Sequence, residues 1–175
     1  YLEKSISVSP SITSMPDKVP ALEEEGEPAG YSLLVVEDTT DMLEFLAKNL
    51  GNTYTIHTAA NGKEALECLE TTTVDLIISD IVMPHMDGFE LLKSIRSDNM
   101  LCHIPFILLS ALDSIDSKIA GLDYGADAYI EKPFSLSHMK ATINNLLENR
   151  RMLFNHFTTV PNMSYDQTLM NKTDV

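Results

Sequence analysis

Tryptophan is absent from this chain of 175 residues, and cysteine is nearly so. The two cysteines, Cys68 and Cys102, have no metal-like spacing and read as reduced thiols of a cytosolic protein. Basic stretches are missing as well. Residues 1–30 carry six acids against two bases, 31–152 eighteen against nine, and 153–175 two against one, for a net charge of −14. A surface that tracks the phosphates of DNA or RNA is therefore not expected, because such binding rests on clustered Lys and Arg. No apolar run approaches the roughly 20 residues of a membrane span, and nothing resembles a signal peptide. There is no Gly-rich loop ending in Lys-Ser/Thr and no Gly-x-Gly-x-x-Gly after the first apolar run, so nucleotide cradles of those types are excluded. The chain opens on Tyr1 rather than Met, as a segment of a longer polypeptide would.

What remains is an ordinary globular composition, 44% hydrophobic, with length for one domain and its tails. Residues 1–30 hold Pro10, Pro16, Pro20, Pro28 and the acidic run Glu23-Glu24-Glu25-Gly26-Glu27, with no persistent period, and read as a largely disordered linker. Residues 155–175 are polar, and 153–175 read as a second linker, leading toward an output domain. Between them, over 31–152, short apolar runs alternate with stretches of helical spacing. Leu33–Val36, Tyr54–Thr58, Leu76–Ile78, Pro105–Leu109 and Ala128–Ile130 read as strands, the second near a sheet edge. Helices are expected from Met42 to Leu50 with Gly51 as the stop, from a cap at Asn61 through Leu69, over Phe89–Ile95, over Ser114–Tyr124, and from Ser135 to about Arg151. Five β-α units in series predict an α/β doubly wound fold with a five-stranded parallel sheet and helices on both faces.

In such a sheet the ligand site lies beyond the carboxyl ends of the strands. Glu37-Asp38 follow the first apolar run, Asp80 the third, Ser110-Ala111 the fourth and Lys132-Pro133 the fifth. Taken singly, each has a plain structural reading: helix caps for the acids and the serine, a solvated strand end for the lysine. Together they put three carboxylates, a hydroxyl and an ammonium on one rim. Clustered carboxylates repel unless a cation holds them charged, and oxygen-only donors favour Mg²⁺ with a phosphate partner. Lys132 adds fixed positive charge and Ser110 a hydrogen-bond donor. This suits a phosphoryl group, with Asp80 as the nucleophile that forms an acyl phosphate. Val82 stands two residues after Asp80, where haloacid-type aspartyl phosphatases place a second Asp, which disfavours hydrolytic turnover.

The motifs resemble those of receiver domains of two-component response regulators, over about residues 31–152, in the style of a hybrid sensor histidine kinase. Leu34-Val-Val-Glu37-Asp38 looks like the family's acidic pair, Ser79-Asp80-Ile-Val-Met-Pro84-His-Met-Asp87-Gly88 its phosphoacceptor loop, and Leu109-Ser110-Ala111 its switch hydroxyl with a small neighbour. Gly125-Ala-Asp-Ala-Tyr129-Ile-Glu-Lys132-Pro133-Phe134 looks like the closing motif. The resemblance implies a flavodoxin-like sheet in the order 2-1-3-4-5 and an Mg²⁺ site made of Asp38, Asp80 and the Val82 carbonyl, with Glu37 acting largely through water. It implies that Asp80 accepts phosphate, that Lys132 pairs with the phosphoryl oxygens through a cis Lys132-Pro133 bond, and that Ser110 and Tyr129 form the switch.

The implied partners are a histidine kinase or phosphotransfer domain and an output domain in the parent chain. No nucleic-acid or membrane contact is expected of this segment, and its oligomeric state stays open. It is expected to be cytoplasmic, in a parent chain with room for a membrane anchor, and to catalyse only its own phosphorylation and dephosphorylation. Val82 and Leu112 stand where many relatives carry polar side chains, which predicts a poorly held attacking water and a long-lived acyl phosphate. Ala128 and Thr142 occupy positions that are charged at the dimer contact of winged-helix regulators, so that symmetric dimer does not follow from the resemblance. The competing reading is a phosphorylation-independent interaction module on the same fold.

Overall fold

In the computed structural model residues 30–111 and 115–158 are described. The N-terminal linker apart from Gly30, residues 159–175, and Leu112 lie outside the described residues. Strands β1 (Ser32–Val36), β2 (Thr55–Ala59), β3 (Leu76–Asp80), β4 (Phe106–Ser110) and β5 (Ala128–Glu131) alternate with helices α1 (Thr40–Leu50), α2 (Gly62–Thr71), α3 (Gly88–Ser97), α4 (Ile115–Asp123) and α5 (Leu136–Thr158). All neighbouring strands pair in parallel, in the order β2-β1-β3-β4-β5. The expected doubly wound sheet is therefore present.

The reason lies in the strand sequences. Leu33, Leu34, Val35 and Val36 are all fully buried, because side chains that alternate across the sheet meet helices on either side. Leu34 and Val36 join Ile77, Phe106 and Leu108 under Ala65 and Leu69 of α2 and Leu91, Leu92 and Ile95 of α3. Leu33 and Val35 join Leu76, Ile78, Ile107 and Leu109 under Leu46 and Leu50 of α1 and Met139, Ile143 and Leu147 of α5. Each such Leu or Ile contributes about 1.5–3 kcal/mol by leaving water. β2 is the edge strand, and only Ala59 of its five residues is buried.

The helix starts follow local chemistry. The Asn61 side chain accepts from Lys63 N–H and Glu64 N–H, while Glu64 reaches back to Ala60 N–H at 2.9 Å. A full reciprocal box stands at α3: Asp87 accepts from Glu90 N–H at 2.8 Å, and Glu90 accepts from Asp87 N–H at 3.0 Å. Gly51 ends α1, though not through a left-handed turn, since its φ is −64°. A Cβ there would lie 2.6 Å from the Ala47 carbonyl oxygen, so glycine is needed for close approach.

One boundary differs from expectation. α5 continues through residues 153–158, which the sequence assigns to the C-terminal linker. Residues 153–158 hold no Gly or Pro to stop the helix, and Leu153, Phe154 and Phe157 prolong its apolar period.

Candidate functional site

Register brings the polar strand ends together. Val36 stands level with Ala59 and Ser79, Asp80 with Leu109, and Ser110 with Glu131, so Glu37, Asp80, Ser110 and Lys132 emerge on one rim. The sheet order reverses between β1 and β3, which makes this rim the topological switch point.

Lys132 is the centre of the site. Its Nζ lies 2.8 Å from Glu37 Oε2 and 3.1 Å from Asp80 Oδ2. Glu37 is almost wholly buried, at 1% exposure, and its other oxygen accepts the Thr39 N–H at 3.1 Å. A buried carboxylate needs such partners, because removal from water otherwise forces it to take up a proton. Asp80 Oδ1 accepts the Ile81 N–H at 2.8 Å. Asp38 is exposed beside them, and one carboxylate oxygen from each of Glu37, Asp38 and Asp80 falls within 4.8 Å of the others.

The electrostatics follow from burial. Asp80 has its pKa raised, first by burial and further by the Glu37 charge, against the lowering effect of the Lys132 hydrogen bond and charge and of the Ile81 N–H. Burial acts to lower the Lys132 pKa, but its hydrogen bonds to Glu37 and Asp80, with their charges, outweigh burial and hold it above the ordinary lysine value. Three carboxylates against one ammonium leave the rim with an excess of negative charge. Its donors are all hard oxygens, and this set fits a small divalent cation.

The remaining expected residues are close by. Ser110 is buried at 1% exposure, and its carbonyl accepts the Lys132 N–H at 2.6 Å. Val82 is exposed on the loop after β3. Lys132-Pro133 is a cis peptide. The Tyr129 ring is half-buried against the α2–α3 side of the core, with Lys118 Nζ 5.8 Å from its centroid. Lys118 also pairs with Glu131, the residue before Lys132.

Three contributions escape a reading by strand ends. Ser79, fully buried, donates from Oγ to the Asp80 carbonyl at 2.9 Å; a lone hydroxyl in an apolar strand was the available signal. Gly88 N–H donates to the Ile81 carbonyl at 2.8 Å, and a Cβ on Gly88 would lie 2.2 Å from the Asp80 carbonyl oxygen. The loop thus folds back onto the backbone of Asp80. Met86 seats that loop on α2, its carbonyl accepting the Gly62 N–H at 3.2 Å.

The geometry has recognisable counterparts. A family model described as response regulator receiver domain matches residues 33–144. The chain is 35% identical over 164 residues to histidine kinase P4 of Formosa agariphila, covering 90% of this chain and 12% of that protein. It is 37% identical to response regulator MprA of Mycobacterium ulcerans, covering 69% of this chain and 51% of that one. The chain thus spans only a part, about half at most, of these curated relatives. The solved receiver domain of the Francisella response regulator 1452 superposes with a TM-score of 0.65 at 36% identity, over 69% of this chain and 98% of that domain. The matched span runs from β1 into α5 and takes in all four strand ends that build the rim. The chain therefore belongs to the response regulator receiver domain family of two-component phosphorelays.

Proposed function

We propose that Asp80 accepts a phosphoryl group from a phosphohistidine on a histidine kinase or phosphotransfer domain, and that the acyl phosphate serves as a signal. The observation that carries this reading is the Lys132 ammonium bridging Glu37 and Asp80 on a rim that Asp38 joins. A carboxylate oxygen of Asp80 attacks phosphorus, the phosphorus–nitrogen bond breaks, and the imidazole of the donor leaves with the electron pair. Lys132 transfers its contact from Asp80 to the incoming phosphoryl oxygens and offsets their charge.

Asp38, Asp80 and the Val82 carbonyl would hold Mg²⁺, which when bound shares the charge that builds on the phosphoryl oxygens. Glu37 acts through water, since its two oxygens already serve Thr39 N–H and Lys132. Phosphorylation adds about −1.5 to −2 charges at the rim. Ser110 donates to the new oxygens, and Tyr129 with α4 and β5 shifts in response, so that the face of α4, β5 and α5 conveys the state to an output domain. Val82, exposed and apolar, supports a long-lived phosphoryl group, because it gives an attacking water nothing to bond. The setting is cytoplasmic; among the described residues no helix is long and apolar enough to cross a membrane.

Incubation with Mg²⁺ and acetyl phosphate tests this. Intact mass is expected to rise by one phosphoryl group, and Asp80→Asn to show no rise. Absence of the adduct, or its persistence in Asp80→Asn, would remove Asp80 from the role and favour an interaction module instead. An adduct that decays within seconds would overturn the long lifetime alone.

A further inference from the structure

The end of the sheet opposite the site, where the strands begin, carries a surface that phosphoryl chemistry does not use. α5 runs against the strands, so its end reaches the level at which the chain arrives at Tyr31. Met139, Ile143 and Leu147 form its buried stripe. The same period continues past the sheet as Leu153, Phe154 and Phe157, which are 60%, 69% and 76% exposed. Residues 149–158 contain Arg150, Arg151 and His156 and no acid, in a chain of net charge −14. The helix end is thus apolar and basic on an acidic protein.

Beside it lies a groove of about 310 Å³ lined by Tyr31, Asp75, Leu147, Arg150, Arg151 and Phe154. The Asp75 carboxylate in its wall accepts the Ser32 N–H at 2.8 Å. Arg150 donates one N–H to the Asp75 carbonyl at 3.0 Å, which fixes the guanidinium over the groove with further donors on its fork. Arg151 pairs with Glu148 at 3.0 Å in an exposed contact of small worth.

We propose that this surface docks the acidic segment Leu22–Glu27 of the same chain. Its glutamates, Glu23, Glu24, Glu25 and Glu27, complement Arg150 and Arg151, and Leu22 complements Phe154 and Phe157. Reach permits it. Tyr31 is itself a wall of the groove, and the eight peptide steps from Glu23 to Tyr31 span up to about 28 Å when extended. From Leu147 to Phe157 the helix is about 15 Å long. A second copy fits less well, since a twofold contact through this face would set the same arginines against each other. The tether also raises the local concentration of the segment far above that of a free acidic partner. Docking ties the arriving chain to the departing helix, so the segments before and after the domain are held at one end.

Hydrogen exchange on the 175-residue chain tests this, with sheet amides as the internal control for folding. Replacing Glu23, Glu24, Glu25 and Glu27 with Gln is expected to speed exchange at residues 150–158 about fivefold, and raised salt to do the same in the parent chain. Arg151→Glu is expected to speed it likewise, and Glu24→Arg added to Arg151→Glu to restore protection. Unchanged exchange in the glutamine variant, a last α5 turn already unprotected in the parent, or protection that grows with protein concentration would each overturn the proposal. The last of these outcomes would indicate a second copy.

Discussion

At the scale of single residues, Asp80 sets stability against the role proposed for it. Its pKa is raised, above all by burial. A raised carboxyl pKa means that the folded state holds the proton more tightly than the unfolded chain. The stabilising contribution of this group is therefore present below the ordinary value of 3.8 and is lost as pH rises through the folded value. Above it, the charged Asp80 opposes folding. Asp80→Asn is accordingly expected to be more stable than the parent by about 1 kcal/mol at neutral pH without divalent cations. The gain should fade as pH falls toward the unfolded value. Urea denaturation in chelator across pH checks this, and a less stable Asn variant at neutral pH would contradict it. Lys132, also raised, contributes below its ordinary 10.5 and loses that contribution only as pH rises through its higher folded value. A second residue-scale feature is His85, whose φ of 68° places a side chain in the left-handed region. That conformation costs a non-glycine residue about 1 kcal/mol. His85→Gly is expected to raise the urea midpoint with an unchanged slope; a fall would mean that the imidazole holds the loop.

Among elements, the loop from Ile81 to Asp87 works as a unit with β3. Gly88 opens α3 directly under the Asp80 carbonyl, and the Asp87–Glu90 box fixes where the helix begins. Gly88→Ala must push the loop off the Asp80 peptide. It is expected to destabilise by about 1–3 kcal/mol and to slow phosphorylation from acetyl phosphate about tenfold or more. Stability loss with normal phosphorylation would show that the loop supports the fold without positioning Asp80. At the other end of α3, Arg96 joins three segments: it donates to the carbonyls of Gly125, Cys102 and Ile104 and pairs with Asp127 at 2.8 Å. Gly125 has φ 93°, and Arg96 packs where its side chain would stand. The motif Gly125-Ala-Asp127 thus serves the end remote from the rim.

For the whole molecule, the excess negative charge at the rim predicts linkage to a divalent cation. Mg²⁺ at about one hundred times its dissociation constant should add about 2.7 kcal/mol of stability, reversed by chelator. Asp38→Asn is expected to remove most of this gain, because it deletes the most exposed carboxylate of the set at little cost to the core. Thermal unfolding with and without Mg²⁺ reads the effect, and an equal Mg²⁺ shift in Asp38→Asn would move the ion elsewhere. Nearly all of the fold was legible along the chain: each apolar run became a strand, each turn signal ended an element within a few residues, and the strand order is the one that the resemblance implied. α5 ran longer because no Gly or Pro follows Arg151 before Pro161, and a linker composition does not by itself stop a helix whose apolar period persists.

Pattern and chemistry along the chain were enough to specify five β-α units, the acid, hydroxyl and lysine at successive strand ends, and a cluster of oxygen donors on one rim. These are local properties, carried by period, turn residues and side-chain type. Partner choice is not local. That Lys132 joins Glu37 to Asp80 while Asp38 stays exposed depends on strand register and on depth within the sheet, which residues 95 apart in sequence settle only by packing. The burial of Ser79, the close approach of Gly88 to the Asp80 carbonyl, and the run of α5 past the sheet beside Tyr31 likewise depend on packing that is complete only in the folded chain. The physical reason is common to all three: burial and distance decide what a charge or a carbonyl meets, and both exist only in the folded chain.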